Sequence, residues 1–400
     1  MKTLLSLLLI ISASYLTVAQ TTAIPDINFE QRLIWNGFDS GTPDGIVLTA
    51  NIDTIKYLTA GAANGPIIDL TGIEDFTSLI YLDCSSNNLS SLNVTQNINL
   101  TELHCNDNHI TSLDVSQNIG LTYLNLMHNQ VSVLNISQNT ALTYLDCFNT
   151  NLSNLDVTLN TALISLICSN NNLTNLDLTQ NILLEGLSFR NNQISNIDLN
   201  QNTNLISLRC ENNLLTALDI SNTSVLAGVD CSLNQITSLN FSHCPNLSVL
   251  KCTDNQLTCL NVKNGNNINF SFFWADNNPN LACIEVDDPI WSTTNMTSKP
   301  IGSSFSTNCL TPCAVGIKES DLSKLLFYPN PTPGKFTIDL GMNLTEIKTT
   351  LTNSLGQVIF TQQFESTDLF YIDIDAPSGI YFLKVESADG ESQIIKVLKK

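Results

Sequence analysis

A 21-residue period in the middle of the chain constrains the fold more than any other feature. Nine leucines recur at this spacing: Leu79, Leu100, Leu121, Leu142, Leu163, Leu184, Leu205, Leu226 and Leu247. A second apolar residue follows each one three positions later, and an asparagine follows five positions after that, with Thr150 as the one exception. The unit is L-x-x-L-x-C-x-x-N-x-L-x-x-L-D-V-S-x-N-x-x. A unit this short cannot bury its own apolar face, so only stacked copies form a core.

The pattern within each unit predicts its local structure. Alternating apolar residues in the L-x-x-L-x-C segment predict a short strand with one buried face. The N-x-L that follows predicts a turn that returns a leucine to the core, with the asparagine satisfying backbone groups of the turn and of stacked copies. Parallel strands lie about 4.8 Å apart, so nine units predict a sheet roughly 40 Å long.

These residues form the leucine-rich-repeat signature, and the short period resembles the internalin-like class of bacterial leucine-rich repeats. The resemblance covers roughly residues 55 to 285. It implies an α/β-type leucine-rich-repeat solenoid with a parallel β-sheet on its concave side and few helices. It does not name a ligand.

The flanking sequences predict the domain boundaries. Lys2 followed by an apolar run over residues 4–11 and small residues before Gln20 is typical of a secretory signal, and export makes disulfides permissible. We predict a signal peptide at 1–19, an N-terminal cap with an irregular first repeat at 20–78, repeats at 79–283, a C-terminal cap at 284–313, a linker at 314–325 and a further module at 326–400. Near the end of the repeats the period breaks, and we expect Trp274, Asn277 and Cys283 to resume it after one extra residue.

The last 75 residues have a different pattern, in which short alternating segments separated by Gly, Pro and Asn predict a small all-β sandwich. The motifs YPNP at 328–331, GKF at 334–336, LGQV at 355–358 and SGIYF at 378–382 resemble the type A C-terminal sorting domain of the type IX secretion system of Bacteroidetes. The resemblance implies delivery to the outer cell surface by that machinery, removal of the domain, and release or attachment to lipopolysaccharide. An adhesive β-sandwich that stays on the chain is the alternative. The motif residues are Tyr328, Pro329, Asn330, Pro331, Gly334, Gly356, Gly379 and Tyr381.

The cysteines divide into two groups. Seven occupy the repeat slot: Cys84, Cys105, Cys147, Cys168, Cys210, Cys231 and Cys252. Because Leu126 and Phe189 fill the same slot, we interpret it as a buried apolar position where the thiol serves as a small hydrophobe. Disulfides between neighbouring strands would need distortion, and zinc would lack acidic residues around it. Among the other five we predict a Cys283–Cys309 bridge in the C-terminal cap, which would contribute roughly 3 kcal/mol; the pairing of Cys244, Cys259 and Cys313 stays open.

Composition and motifs argue against several functions. Acidic residues outnumber basic ones 36 to 16, and the formal net charge of -20 repels nucleic acid and anionic membranes. Motifs of hydrolases, metalloproteases, phosphate-binding loops and calcium loops are absent from the sequence, so we expect no enzymatic activity and no cofactor. His104, His109 and His128 fall on adjacent units, but their slots otherwise hold Asn, Asp, Gln or Lys. We therefore interpret them as solvated polar positions rather than metal ligands.

The variable slots beside the buried leucines predict a binding surface, because alternate residues of a strand face opposite sides. We expect the following on the concave side: Tyr81, Tyr123, Met127, Tyr144 and Phe148 in the first half, and Arg190, Arg209, Glu211 and Lys251 in the second. Clustered exposed aromatics are typical of protein or glycan hot spots. The hypothesis is a secreted or surface protein that binds an extracellular protein or adhesive ligand; the alternatives are a glycan-binding or enzyme-accessory protein and a hydrolase.

Overall fold

The computed structural model describes residues 19–61, 65–310, 313, 325–387 and 392–400, with the side chains of 342–345 left aside. The chain forms two compact units, Met1–Cys313 and Ala314–Lys400. The predicted signal peptide and linker lie outside the described residues except for their last residue. Within the described parts of the chain, the α-helices are Ile27–Trp35, Thr49–Ile52 and Pro289–Asn295, and the 3-10 helices are Ile73–Asp75 and Asn267–Asn269.

Each repeat contributes a three-residue strand to one parallel sheet. The middle residue of each strand is buried and lies in register with those on either side, as Leu145 does between Leu124 and Leu166. The predicted leucine-rich-repeat solenoid is confirmed. The eleven strands of this sheet among the described residues are Tyr57–Thr59, Tyr81–Asp83, Glu102–His104, Tyr123–Asn125, Tyr144–Asp146, Ser165–Ile167, Gly186–Ser188, Ser207–Arg209, Gly228–Asp230, Val249–Lys251 and Phe272–Trp274.

A ladder of buried asparagines joins consecutive repeats. The Asn108 amide is representative: Nδ2 donates to the carbonyls of Cys105 in its own repeat (3.1 Å) and Cys84 in the preceding one (3.0 Å), and Oδ1 accepts from the Leu89 amide (3.0 Å). At the exceptional position, Thr150 donates its hydroxyl to the Cys147 carbonyl instead. The members of this asparagine ladder are Asn87, Asn108, Asn129, Asn171, Asn192, Asn213, Asn234, Asn255 and Asn278.

A second polar ladder runs along the segments that connect the repeats. Asn118 is typical of it, since its Nδ2 donates to the carbonyls of Val94 (3.1 Å) and Asn97 (2.8 Å). Cys244 takes the same position near the end of the series and donates its thiol to the Thr223 carbonyl at 3.6 Å. This position gives Cys244 a structural partner without a disulfide.

The slot cysteines pack in the core. All seven are buried and free, and several thiols face a carbonyl of the next repeat, as Cys84 does His104 (3.5 Å) and Cys147 does Ile167 (3.4 Å). Burial raises the pKa of the Cys105 thiol to about 12. A thiol with such a pKa stays protonated near neutral pH and is a poor nucleophile.

Caps close both ends of the solenoid. At the N-terminal end, Asp26 caps the helix Ile27–Trp35 by accepting from the amides of Asn28 and Phe29, and its other oxygen accepts from the Ile68 amide at 2.7 Å. The strand Thr21–Ala23 pairs with Ile46–Leu48 beside this helix. Two disulfides, Cys283–Cys309 and Cys259–Cys313, hold the C-terminal cap.

The order near the C-terminal cap differs from the sequence-based expectation. Leu250 lies in register with Phe273, a spacing of 23 residues, so two residues are inserted rather than one. Phe273 is therefore the buried strand residue, while Trp274 is on the exposed face and Asn277 is the left-handed turn residue before the ladder position. Cys283 belongs to a separate sheet of the strands Ser238–Asn240, Cys259–Asn261, Cys283–Glu285 and Ser304–Ser306, and the short strands Leu92–Asn93 and Leu113–Asp114 form another pair.

The C-terminal unit is all β, as predicted. Its strands form one continuous antiparallel sheet that curls into a half-barrel, because the two longest strands shift register near Asp339 and Leu351. They surround a separate core that includes Phe336, Leu383 and Val397. The strands are Leu326–Tyr328, Lys335–Asn353, Val358–Asp373, Gly379–Glu386 and Ser392–Lys399.

The asparagine ladder predicts a large effect of one side chain on stability. We expect Asn192→Ala to lower the free energy of unfolding by about 3 kcal/mol, because it leaves the Leu173 amide and the Cys168 and Phe189 carbonyls without their partner. Urea unfolding followed by circular dichroism measures the difference. The control Asn196→Ala changes an exposed asparagine of the same repeat and should cost less than about 0.5 kcal/mol. Equal midpoints for the two variants would contradict the ladder's role.

The packing of the cysteines predicts their reactivity. In the native protein at pH 8 we expect the eight free thiols to be inert toward a thiol-titrating reagent, because they are buried and burial raises their pKa. Unfolding in denaturant without reductant should then expose all eight. Fast titration of the native chain, or fewer than eight thiols after unfolding, would show that the slot is reactive or disulfide-bonded.

Candidate functional site

The strand register arranges the exposed residues of the large sheet into columns. The first and third residues of each strand flank the buried middle residue and lie on the exposed face, which we call the concave face. Because each repeat pairs without offset, residues 21 positions apart become neighbours across the strands, as Tyr123 and Tyr144 do. The first column is Tyr57, Tyr81, Glu102, Tyr123, Tyr144, Ser165, Gly186, Ser207, Gly228, Val249 and Phe272.

Five rings form a continuous aromatic stack across the first five strands: Tyr57, Tyr81, His104, Tyr123 and Tyr144. Successive ring centroids are 6.5, 5.2, 4.5 and 4.3 Å apart. The rings of Tyr123 and Tyr144 are within 2° of parallel. The structure thus brings together the three tyrosines predicted from the sequence and adds two rings that the sequence reasoning missed.

The C-terminal end of the aromatic stack is its most buried part. Burial, together with the nearby Asp146 carboxylate, raises the pKa of the Tyr144 phenol. The phenol donates to Asp146 Oδ2 at 3.5 Å. Burial also raises the pKa of Asp146 itself. Tyr144 therefore remains a neutral hydroxyl donor over the whole physiological pH range.

Beyond Tyr144 the first column loses its large side chains. Ser165, Gly186, Ser207 and Gly228 follow one another in register, and no ring can stack on the outer side of Tyr144 because Ser165 is its neighbour. The small residues leave a shallow depression in the face.

This depression consists of two adjoining cavities that we call the furrow. The first, of about 260 Å³, is lined by residues that include Phe148, Ser188 and Ser207. The second, of about 280 Å³, extends to Asp230 and Lys251. Both cavities share Arg190, Ser207 and Arg209.

Ion pairs and ring contacts fix most of the charged side chains around the furrow. Arg190 contacts Glu211 at 3.5 Å and its guanidinium lies 5.5 Å from the centre of the Phe148 ring. Lys251 contacts Asp230 at 3.7 Å and lies 4.6 Å from the centre of the Trp274 ring, which extends the aromatic surface at the far end.

Of the seven predicted binding residues, Phe148, Arg190 and Arg209 line the furrow, and three tyrosines lie in the aromatic stack. Met127 is half-buried and occupies the slot of Phe148 one repeat earlier. His128, which we expected to be a solvated polar residue, takes the left-handed turn conformation and contacts Asp107 at 2.7 Å. Within the described residues, no group of three or more His, Cys, Asp or Glu side chains is arranged to hold a metal.

In the C-terminal unit the predicted motif residues hold the edge of the sheet. Asn330 donates to the Lys396 carbonyl (3.1 Å) and accepts from the Leu398 amide (2.8 Å), and the Tyr381 hydroxyl donates to the Pro377 carbonyl (2.6 Å). The other motif residues lie at strand ends or turns: Tyr328, Pro329, Pro331, Gly334, Gly356 and Gly379.

Residues 326–400 match the family described as the secretion system C-terminal sorting domain. The chain carries a type IX secretion sorting domain. Such a domain marks secreted and cell-surface proteins, so the predicted localisation is confirmed for this sorting-domain protein. Among its described residues, no helix has the length and apolar character needed to cross a membrane.

Solved structures similar to this sorting-domain protein share the solenoid fold. The functional domain of InlJ from Listeria monocytogenes, which includes a cysteine ladder, is 24% identical, and the match covers 96% of this chain and 100% of that one at a TM-score of 0.56. The internalin InlF of the same species is 21% identical over 72% and 97% of the two chains, with a TM-score of 0.53. A leucine-rich-repeat protein of Leptospira interrogans is 21% identical over 60% and 63%, with a TM-score of 0.50. No curated protein matches the chain by sequence.

Proposed function

We propose that this chain is a secreted or surface-attached adhesion protein that captures an extracellular protein or glycan on its concave face and has no enzymatic activity. The aromatic stack is the observation that carries the proposal. Five rings are aligned by the strand register, Tyr57 at their outer end is 68% exposed, and tyrosines held in place by neighbours bind with little loss of side-chain entropy.

The sorting domain supports the same role, because it delivers the solenoid to the place where an adhesion protein acts. The type IX secretion machinery is then a transient partner of residues 326–400. After delivery, removal of this domain would leave the solenoid released or attached to lipopolysaccharide.

Glycan capture is favoured over protein capture by one observation. The furrow beside the aromatic stack has a floor of Ser165, Ser188 and Ser207, whose hydroxyls can exchange hydrogen bonds with sugar hydroxyls. A pocket for an apolar side chain of a protein partner would have an apolar floor.

The proposal predicts that the aromatic stack is needed for capture. We expect the double variant Tyr123→Ala, Tyr144→Ala to lose at least tenfold in binding to arrays of immobilised glycans and extracellular proteins, because it removes the central pair of rings. Loss of their contact should cost about 1 kcal/mol of stability and leave the chain folded, which a thermal melt checks.

The matched control changes two exposed apolar residues outside the strands, Ile119→Ala and Ile182→Ala, which are 64% and 51% exposed. Its array profile should equal that of the unchanged protein. The same profile for the tyrosine variant would rule out the aromatic stack as the capture surface.

A further inference from the structure

Positive charge in the solenoid is concentrated at the furrow. Residues 57–250 contain two basic residues, Arg190 and Arg209, in a chain whose acids outnumber its bases 36 to 16. The two arginines stand on neighbouring strands and line both cavities of the furrow. A distribution that excludes basic residues from eight repeats and places two at one depression indicates a local anionic partner.

The two arginines have different surroundings. Arg190 is held between the Glu211 carboxylate and the Phe148 ring. Arg209 is exposed, and within the described structure its guanidinium has no ion pair or side-chain hydrogen bond. On the strand beside it, Asp230 is already engaged by Lys251 at 3.7 Å. Arg209 is therefore the cation that is available to a ligand.

A second polar group in the furrow lacks a partner. Glu211 lines the second cavity, and its Oε2 is buried with no hydrogen-bond donor in the described structure. Buried carboxylate oxygens are normally satisfied, and a ligand hydroxyl would supply the missing donor. The furrow thus needs both an anion and a hydroxyl group from one ligand.

We propose, on the basis of the proposed capture function, that the furrow binds a sugar residue carrying a carboxylate, with Arg209 pairing with the carboxylate and Glu211 Oε2 accepting from a hydroxyl. The planar guanidinium matches a carboxylate through two parallel hydrogen bonds. Ser165, Ser188 and Ser207 line the space for the ring, and Tyr144 borders it as a neutral hydroxyl donor.

The net charge limits how many carboxylates the ligand carries. Glu211 and Asp230 lie in the furrow, and Asp146 lies on the adjoining part of the face. At physiological salt, charges are screened beyond about 8 Å, so one carboxylate at Arg209 escapes most of the repulsion while a polyanion does not. The ligand is a glycan with an isolated acidic sugar, of the sialic-acid or the uronic-acid type.

Isothermal titration of the full chain tests the proposal with named probes: 3′-sialyllactose, lactose, a glucuronic-acid disaccharide, polygalacturonate and a short peptide with one glutamate. We expect binding of at least one of the two singly charged sugars and at least tenfold weaker binding of lactose and the peptide. Binding should also be stronger than that of each polygalacturonate residue. Which acidic sugar binds distinguishes the two sources of the carboxylate.

The variant Arg209→Gln should weaken binding of the acidic sugar about 10- to 100-fold, the range expected for a lost charge-assisted hydrogen-bond pair, and Arg209→Lys should weaken it less. The control Lys56→Gln removes a positive charge from an exposed position outside the furrow and should have no effect.

Three results would overturn the inference: equal binding of lactose and sialyllactose, equal binding by Arg209→Gln, or binding of neither acidic sugar. In each case the proposed capture function is judged separately by the array profile of the tyrosine variant. Preference for the acidic peptide would assign the furrow to a protein ligand instead.

Discussion

The asparagine side chain at each turn of the solenoid ties a repeat to the one before it. Through Nδ2 it bonds one carbonyl in its own repeat and one in the preceding repeat, and through Oδ1 it accepts an amide of the preceding repeat. Water cannot reach these groups, so a repeat that shifted by one residue would leave several buried polar groups unpaired. This constraint keeps the strands in register over eleven strands of the described chain and turns a sequence period into columns of side chains.

The binding surface depends on those columns. Rings at 21-residue spacing become a stack because their strands pair without offset, and Ser and Gly at the same spacing become a furrow. Neither feature requires a loop or a flexible segment to form. The face is therefore organised before a ligand arrives, which reduces the entropy lost on binding.

Much of the architecture could be predicted from the period, including the parallel sheet, the buried slot of the cysteines and the exposure of Tyr123 and Arg209. Tyr57 was missed because it precedes Tyr81 by 24 residues, so it lies outside the period although the two pair in the sheet. His104 was interpreted as a solvated residue, since a single sequence does not show which ring lies next to it in space.

The remaining differences have a similar physical origin. The insertion before Phe273 was read as one residue because Trp274 and Asn277 mimic the pattern, and only burial distinguishes the true register. The furrow arises from side chains that are small, and a search for chemically active residues passes over Ser165, Gly186 and Ser207. Their 21-residue spacing was the available signal.

The measurement that tests the central claim most directly is a crystal structure of the chain with 3′-sialyllactose bound. The account predicts the sugar ring over the serine floor next to Tyr144, with its carboxylate within hydrogen-bonding distance of the Arg209 guanidinium. A ligand bound only outside the concave face, or a carboxylate directed away from Arg209, would contradict it.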